Sequence, residues 1–207
     1  MLIDISPEIR EGIAVFPGDV PFVQTIALDM NRGDHLTLSS MNGTLHLGSH
    51  ADAPSHYLHG GESIADRSLD FYIGPCDVID VTAVGARRIG PNDLPLDRDW
   101  AERVLFRTDT FLDPSRWSDS FASLSPELID HLSGRGVRLV GIDTPSIDPS
   151  ESKELESHQA VARHDMAILE GLILSRVEAG RYRLIAPPLR IHGGDAGPVR
   201  AVLETIG

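Results

Sequence analysis

The stretch His46-Leu47-Gly48-Ser49-His50-Ala51-Asp52-Ala53-Pro54-Ser55-His56 gathers three imidazoles and a carboxylate into one short segment. Imidazole nitrogens and carboxylate oxygens are donors that suit zinc and similar divalent ions. Drawn as an ideal strand, positions 46, 48, 50 and 52 share a face, but His46 and His50 then stand about 13 Å apart at roughly 3.3 Å per residue. That is too far to grip one ion together. A helix is disfavoured by Thr44, Gly48, Ser49 and Pro54. A bent segment remains, with Gly48 free to take the bend because it lacks a Cβ. The donors are therefore expected to converge around Gly48. His56, beyond Pro54, is placed to shuttle a proton near neutral pH or to serve as another ligand.

Outward from this segment, short apolar or alternating runs predict strands at 2–5, 35–40, 77–81, 103–107, 137–142, 169–174, 182–186 and 199–206. Ser125-Pro126-Glu127 has the composition of a helix start, with Gly134 and Gly136 to stop it. A second helix is expected over 153–163, and turns at 15–19 and 148–152. Several strands with two or three helices give a mixed α/β or α+β sheet that can curl toward a barrel. The chain has 207 residues and no repeat, low-complexity tract or long linker, so one domain over 1–207 is the expectation.

Composition limits the function classes. Against 18 Lys+Arg stand 31 Asp+Glu, a formal charge of -13, which argues against a nucleic-acid partner because phosphate binding needs clustered cations. No apolar run approaches the roughly 20 residues that span a bilayer, and the Met1–Pro7 start does not read as a secretory signal. The lone cysteine, Cys76, lies in an apolar run and reads as a buried, inert thiol. The chain is read as cytoplasmic, with no membrane partner.

One segment rarely completes a hydrolytic site. Glu170, flanked by Leu169 and Ile168, is the better downstream candidate, since a carboxylate among apolar residues needs a charge partner or a metal. His158, in the helix-like stretch, is the other downstream candidate; composition does not separate it from His164, and a surface helix position is the plain alternative for both. His59, before Gly60-Gly61, reads as an exposed turn residue, and the stretch Arg190-Ile-His-Gly-Gly-Asp195 as a glycine turn. A rival without catalysis is a zinc ion stapling a loop; such closed sites favour Cys and His, whereas carboxylates favour a site open to water.

The histidine segment resembles the HxGxHxDxPxH motif of the metal-dependent cyclase family. Phe16-Pro-Gly-Asp19, Gly141-Ile-Asp-Thr-Pro-Ser146, Asp148-Pro-Ser-Glu-Ser-Lys153, Met166-Ala-Ile-Leu-Glu-Gly171 and Pro198-Val-Arg-Ala-Val202 extend the resemblance along nearly the whole chain, toward the arylformamidase branch. The resemblance implies a swivelling β/β/α fold, a homodimer and two zinc ions, with manganese or another divalent metal able to use the same donors. By it, His46, His50, Asp52 and Glu170 hold one ion, and Asp52, His158 and Glu170 the other. His56 becomes the general acid/base. The implied reaction is hydrolysis of N-formyl-L-kynurenine to L-kynurenine and formate. The branch usually carries Trp before Pro-Gly-Asp to meet the substrate ring; here Phe16 stands there, able to stack but without an indole N–H. That departure keeps open a family alternative, a hydrolase of an isatin-like cyclic amide, imide or lactone.

Overall fold

The structure is a computed structural model and describes residues 1–95 and 99–206. In chain order the elements are β1 (Leu2–Asp4), β2 (Val23–Leu28), β3 (Leu38–Asn42), β4 (His50–Asp52), α1 (Pro54–Tyr57), β5 (Ile73–Asp80), β6 (Arg88–Ile89) and β7 (Arg103–Arg107). There follow β8 (Ser123–Leu124), α2 (Pro126–Ser133), β9 (Leu139–Ile142), α3 (Glu156–Arg163), β10 (Ala167–Glu170), β11 (Gly180–Ile185), β12 (Ala196–Pro198) and β13 (Val202–Thr205). Nine strands form one mixed α/β sheet in the order β1-β13-β11-β5-β7-β9-β10-β4-β12. Its centre, β5-β7-β9-β10, is parallel, and antiparallel strands extend it on both sides.

Period-two alternation divides the core between the two faces of this sheet. Val78, Leu105, Leu139 and Leu169 pack into one cluster. Their neighbours Ile79, Val104, Phe106, Val140, Ile142 and Ile168 join α2 and α3 in the other. The Ser125 hydroxyl caps α2 by accepting from the N–H of Leu128, and Pro126 occupies the first turn where no N–H is needed. Leu128, Ile129 and Leu132 then meet the sheet.

Several sequence expectations shift. The run at 35–40 is a strand only from Leu38, and it pairs with the unforeseen β2. The second helix begins at Glu156, not 153, because Leu155 is left-handed (φ 49°) and the Asp148 carboxylate accepts from the N–H groups of Ser157 and His158. The strand expected over 169–174 ends at Glu170, since Gly171 (φ 65°) turns the chain away. β12 was not anticipated: Ala-Gly-Pro carries no alternation to read.

Candidate metal centre and cavity

β4 lies antiparallel between β10 and β12, and this pairing assembles the site. Glu170 is opposite His50, and Ile168 is opposite Asp52. Residues 50, 52, 168 and 170 therefore share a face, the one that α2 and α3 cover. A register slip of one residue would turn these donors to the other face. α3 brings His158 down onto them, its side chain 2% exposed.

The segment leading into β4 bends where expected. Gly48 has φ 60°, and the His46 and His50 rings lie 5.0 Å apart, T-shaped, rather than a strand's length apart. Gly171 matters equally, because a Cβ there would collide with the Gly48 carbonyl oxygen. The two glycines let the turn after β10 approach the turn before β4, and the Ser49 hydroxyl donates to the Gly171 carbonyl at 2.8 Å. Beyond β4 the chain does form one helical turn, α1, with Pro54 at its start, where a proline needs no N–H partner.

Each buried carboxylate turns its two oxygens in different directions. Asp52 Oδ1 faces His46 Nδ1 at 3.1 Å and His50 Nε2 at 3.4 Å, while Oδ2 faces His158 Nε2 at 3.2 Å. Glu170 Oε2 faces His50 Nε2 at 3.4 Å; Oε1 lies 3.5 Å from His158 Nε2 and accepts from the Ile147 N–H at 2.7 Å. Two sets of donors flank this carboxylate pair. His46, Asp52 and His56, and likewise His50, Asp52 and Glu170, offer atoms within 4.8 Å of one another.

A shell of acceptors orients the rings. His50 Nδ1 faces the Gly48 carbonyl at 3.0 Å, so a neutral ring keeps its proton there and presents the Nε2 lone pair inward. His158 Nδ1 bonds Asp148 Oδ2 at 2.8 Å, with the same consequence. His46 Nε2 bonds Asp195 Oδ2 at 3.1 Å, which leaves Nδ1 for the centre. His50 Nε2 and Asp52 Oδ1 are buried with no hydrogen-bond partner. Buried charge without compensation costs several kcal/mol, and orphaned imidazole and carboxylate atoms pointing together fit a divalent cation.

Electrostatics set His56 apart from the other rings. Burial opposes charge on His50, but Asp52 and Glu170 outweigh it and push the pKa up to about 10. In the same way His158 is raised by Asp148, Asp52 and Glu170, and His46 by Asp52, each against burial. Asp52 and Glu170 are held low despite burial, chiefly by the histidines that face them. For His56 burial prevails and its pKa falls, although a third of the side chain (33%) is exposed. Its ring stands 4.2 Å from that of His46, with Nδ1 3.7 Å from Asp195.

A cavity of about 320 Å³ opens over these groups. His46, His50, His56, His158, Glu170 and Asp195 line its floor. Phe16 is on the wall, presented by a turn in which the Asp19 N–H returns to the Phe16 carbonyl.

The structure thus brings together His46, His50, Asp52, His56, His158 and Glu170, with Phe16 above them. It also separates the two helix histidines: His158 is buried, while His164 sits at the surface on Asp130. His59 is an exposed turn residue, and Cys76 is buried with its thiol pKa pushed up by burial. The turn reading of 190–195 is incomplete, since Asp195 reaches His46 and His56. Asp148 and Asp195 were missed because each sits in turn-forming sequence that looks like a loop.

A nine-stranded mixed sheet thus carries on one face a His/Asp/Glu cluster whose donors suit a divalent metal. The chain belongs to the cyclase family, whose sequence profile matches residues 3–149. It is 44% identical over 208 residues to the kynurenine formamidase of Bordetella pertussis, covering 98% of this chain and 97% of that one. To the kynurenine formamidase of Maricaulis maris it is 42% identical over 208 residues, with the same coverage. Among solved structures, a protein of Bacillus stearothermophilus described as a "predicted metal-dependent hydrolase" superposes with a TM-score of 0.83 at 29% identity, covering 98% of this chain and 97% of that one.

Proposed function

We propose that this protein hydrolyses N-formyl-L-kynurenine to L-kynurenine and formate, a metal-dependent cleavage of an aryl formamide. The carrying observation is the pair of buried carboxylates, Asp52 and Glu170, each dividing its oxygens between His158 on one side and His46 or His50 on the other. The full-length likeness to kynurenine formamidases supports the substrate. Two zinc ions would be held here, one by His46, His50, Asp52 and Glu170 and a second by Asp52, His158 and Glu170; manganese could take the same donors. Two ions bound there would acidify water and polarise the formyl carbonyl.

The remaining chemistry falls to side chains. His56 is the general acid/base: its lowered pKa keeps it neutral near pH 7, so it can take a proton from water and return it to the departing aryl nitrogen. Asp195, 3.7 Å from His56 Nδ1, steadies that ring. Phe16 offers an apolar face to the substrate ring, and the enclosing cavity limits water. On the same reading the chain is one catalytic domain over 1–207 and works in the cytoplasm as a homodimer. The homodimer is supported by the β2–β3 ribbon, which exposes Val23, Ile26, Leu38 and Met41, more than a two-stranded ribbon sustains alone. No helix among the described residues is long and apolar enough to cross a membrane.

The test is turnover of N-formyl-L-kynurenine by zinc-loaded protein, with isatin assayed in parallel. One formate per kynurenine, lost on chelation and regained with zinc, is expected. Turnover of isatin without N-formyl-L-kynurenine would overturn the substrate assignment.

A further inference from the structure

Opposite the metal donors, the cavity wall is aromatic and comes from a distant part of the chain. Trp117 lies in the irregular loop between β7 and β8 and lines the cavity together with Phe16 and Phe111. Its indole is held on several sides. The N–H donates to Asp119 Oδ1 at 2.9 Å, and the ring meets Phe16 edge-to-face at 5.0 Å, Phe111 at 6.1 Å and Phe121 at 6.2 Å. Phe121 is buried at 4% exposure, as a ring that only fills a core should be, but Trp117 is half-buried and faces open space. With its N–H committed to Asp119, what Trp117 can offer a ligand is apolar aromatic surface. Among the described residues lining the cavity there is no Lys or Arg.

We infer that Trp117 is the substrate-positioning residue that seats the aromatic ring of the substrate, making the cavity selective for N-aryl formamides. The inference rests on the aryl formamidase reading above. Phe16 supplies one wall and braces the indole, and Trp117 supplies the larger surface. The indole is already ordered by Asp119 and three phenyl rings, so binding need not order it.

Three substrates separate the outcomes: N-formyl-L-kynurenine, formanilide, which keeps the ring without the amino-acid tail, and ethyl formate, which has no ring. Each is followed by formate release from zinc-loaded wild type, Trp117→Phe and Trp117→Ala. The alanine variant is expected to raise KM for both aryl substrates about tenfold or more while kcat changes less than about threefold, as loss of an aromatic contact and its buried area requires. Ethyl formate hydrolysis should not change, and Trp117→Phe should restore most of the affinity. Equal losses on all three substrates, or an unchanged KM for the aryl pair, overturn the inference while leaving the functional reading standing. Wild-type protein that leaves both aryl formamides intact overturns the functional reading, and this inference with it.

Discussion

The parallel centre β5-β7-β9-β10 and the strip β10-β4-β12 belong to one sheet, yet their sequences specify them in different ways. In the centre, each strand carries apolar residues on both faces, and their burial accounts for most of its place in the fold. In the strip, β4 is three residues long and entirely buried, but two of the three are His50 and Asp52. Nothing local stabilises that strand. It exists because β10 and β12 pair with it and because Gly48 and Gly171 permit close approach. The centre gains free energy by burying apolar area; the strip leaves polar atoms orphaned where the chemistry needs them.

The comparison breaks most sharply at Asp52. Asp52→Ala removes a group shared by both donor sets, so metal content measured by elemental analysis should collapse and turnover with it. The far-UV circular dichroism should be retained, because the centre of the sheet is untouched. Full zinc content in this variant would refute the bridging role. Next is His56→Ala, expected to keep its metal and lose roughly 10²–10⁴ in kcat. Loss of metal instead would make His56 a ligand, which its place beside His46 and Asp52 allows geometrically. The centre should answer in the opposite sense. Leu105, fully buried on β7, should cost about 2–5 kcal/mol of unfolding free energy when cut to alanine. Read by denaturant titration, that loss should leave the folded fraction with normal zinc content and normal kcat.

The same division explains what could be read from the chain in advance. β7 was legible to the residue, and α2 was legible through Ser125 and Pro126, because alternation and capping are local signals. His46, His50, Asp52 and His56 were legible as a group from density alone, and Glu170 from the cost of a carboxylate among apolar neighbours. β12 was not legible, since Ala-Gly-Pro becomes a strand only by pairing with β4. His158 was legible only as one of two helix histidines that composition does not separate, although a sharper signal existed. It falls three residues before Val161, on the buried side of α3 with Ala160, a position where a solvent-facing histidine does not belong. Asp148 and Asp195 left no signal of this kind, because an aspartate in a turn is ordinary and their partners are remote in sequence.

Asp148 gives the finest test of the contrast, because it serves both regions. Its carboxylate accepts from the backbone N–H groups of Ser157 and His158 at the start of α3, a packing role. The same oxygens hold His158 Nδ1 at 2.8 Å and meet Arg88 at 3.3 Å, an orienting role for the metal centre. Asp148→Asn keeps the size and one acceptor oxygen but removes the charge. An amide oxygen at the Oδ2 position keeps the N–H groups of Ser157 and His158 and the ring Nδ1, so what is lost is the negative charge behind His158, while the NH₂ at the Oδ1 position meets Arg88. The expected result is zinc affinity weakened by about 10–100-fold, the usual effect of losing a partner behind a ligand. Melting of the metal-free protein should move by only a few degrees, because the helix start is still capped. Affinity for zinc should be read by competition with a chromophoric chelator. A variant that binds zinc normally but melts far lower would mean that Asp148 belongs to the packing of α3 alone, and that His158 is oriented by the helix rather than by its carboxylate partner.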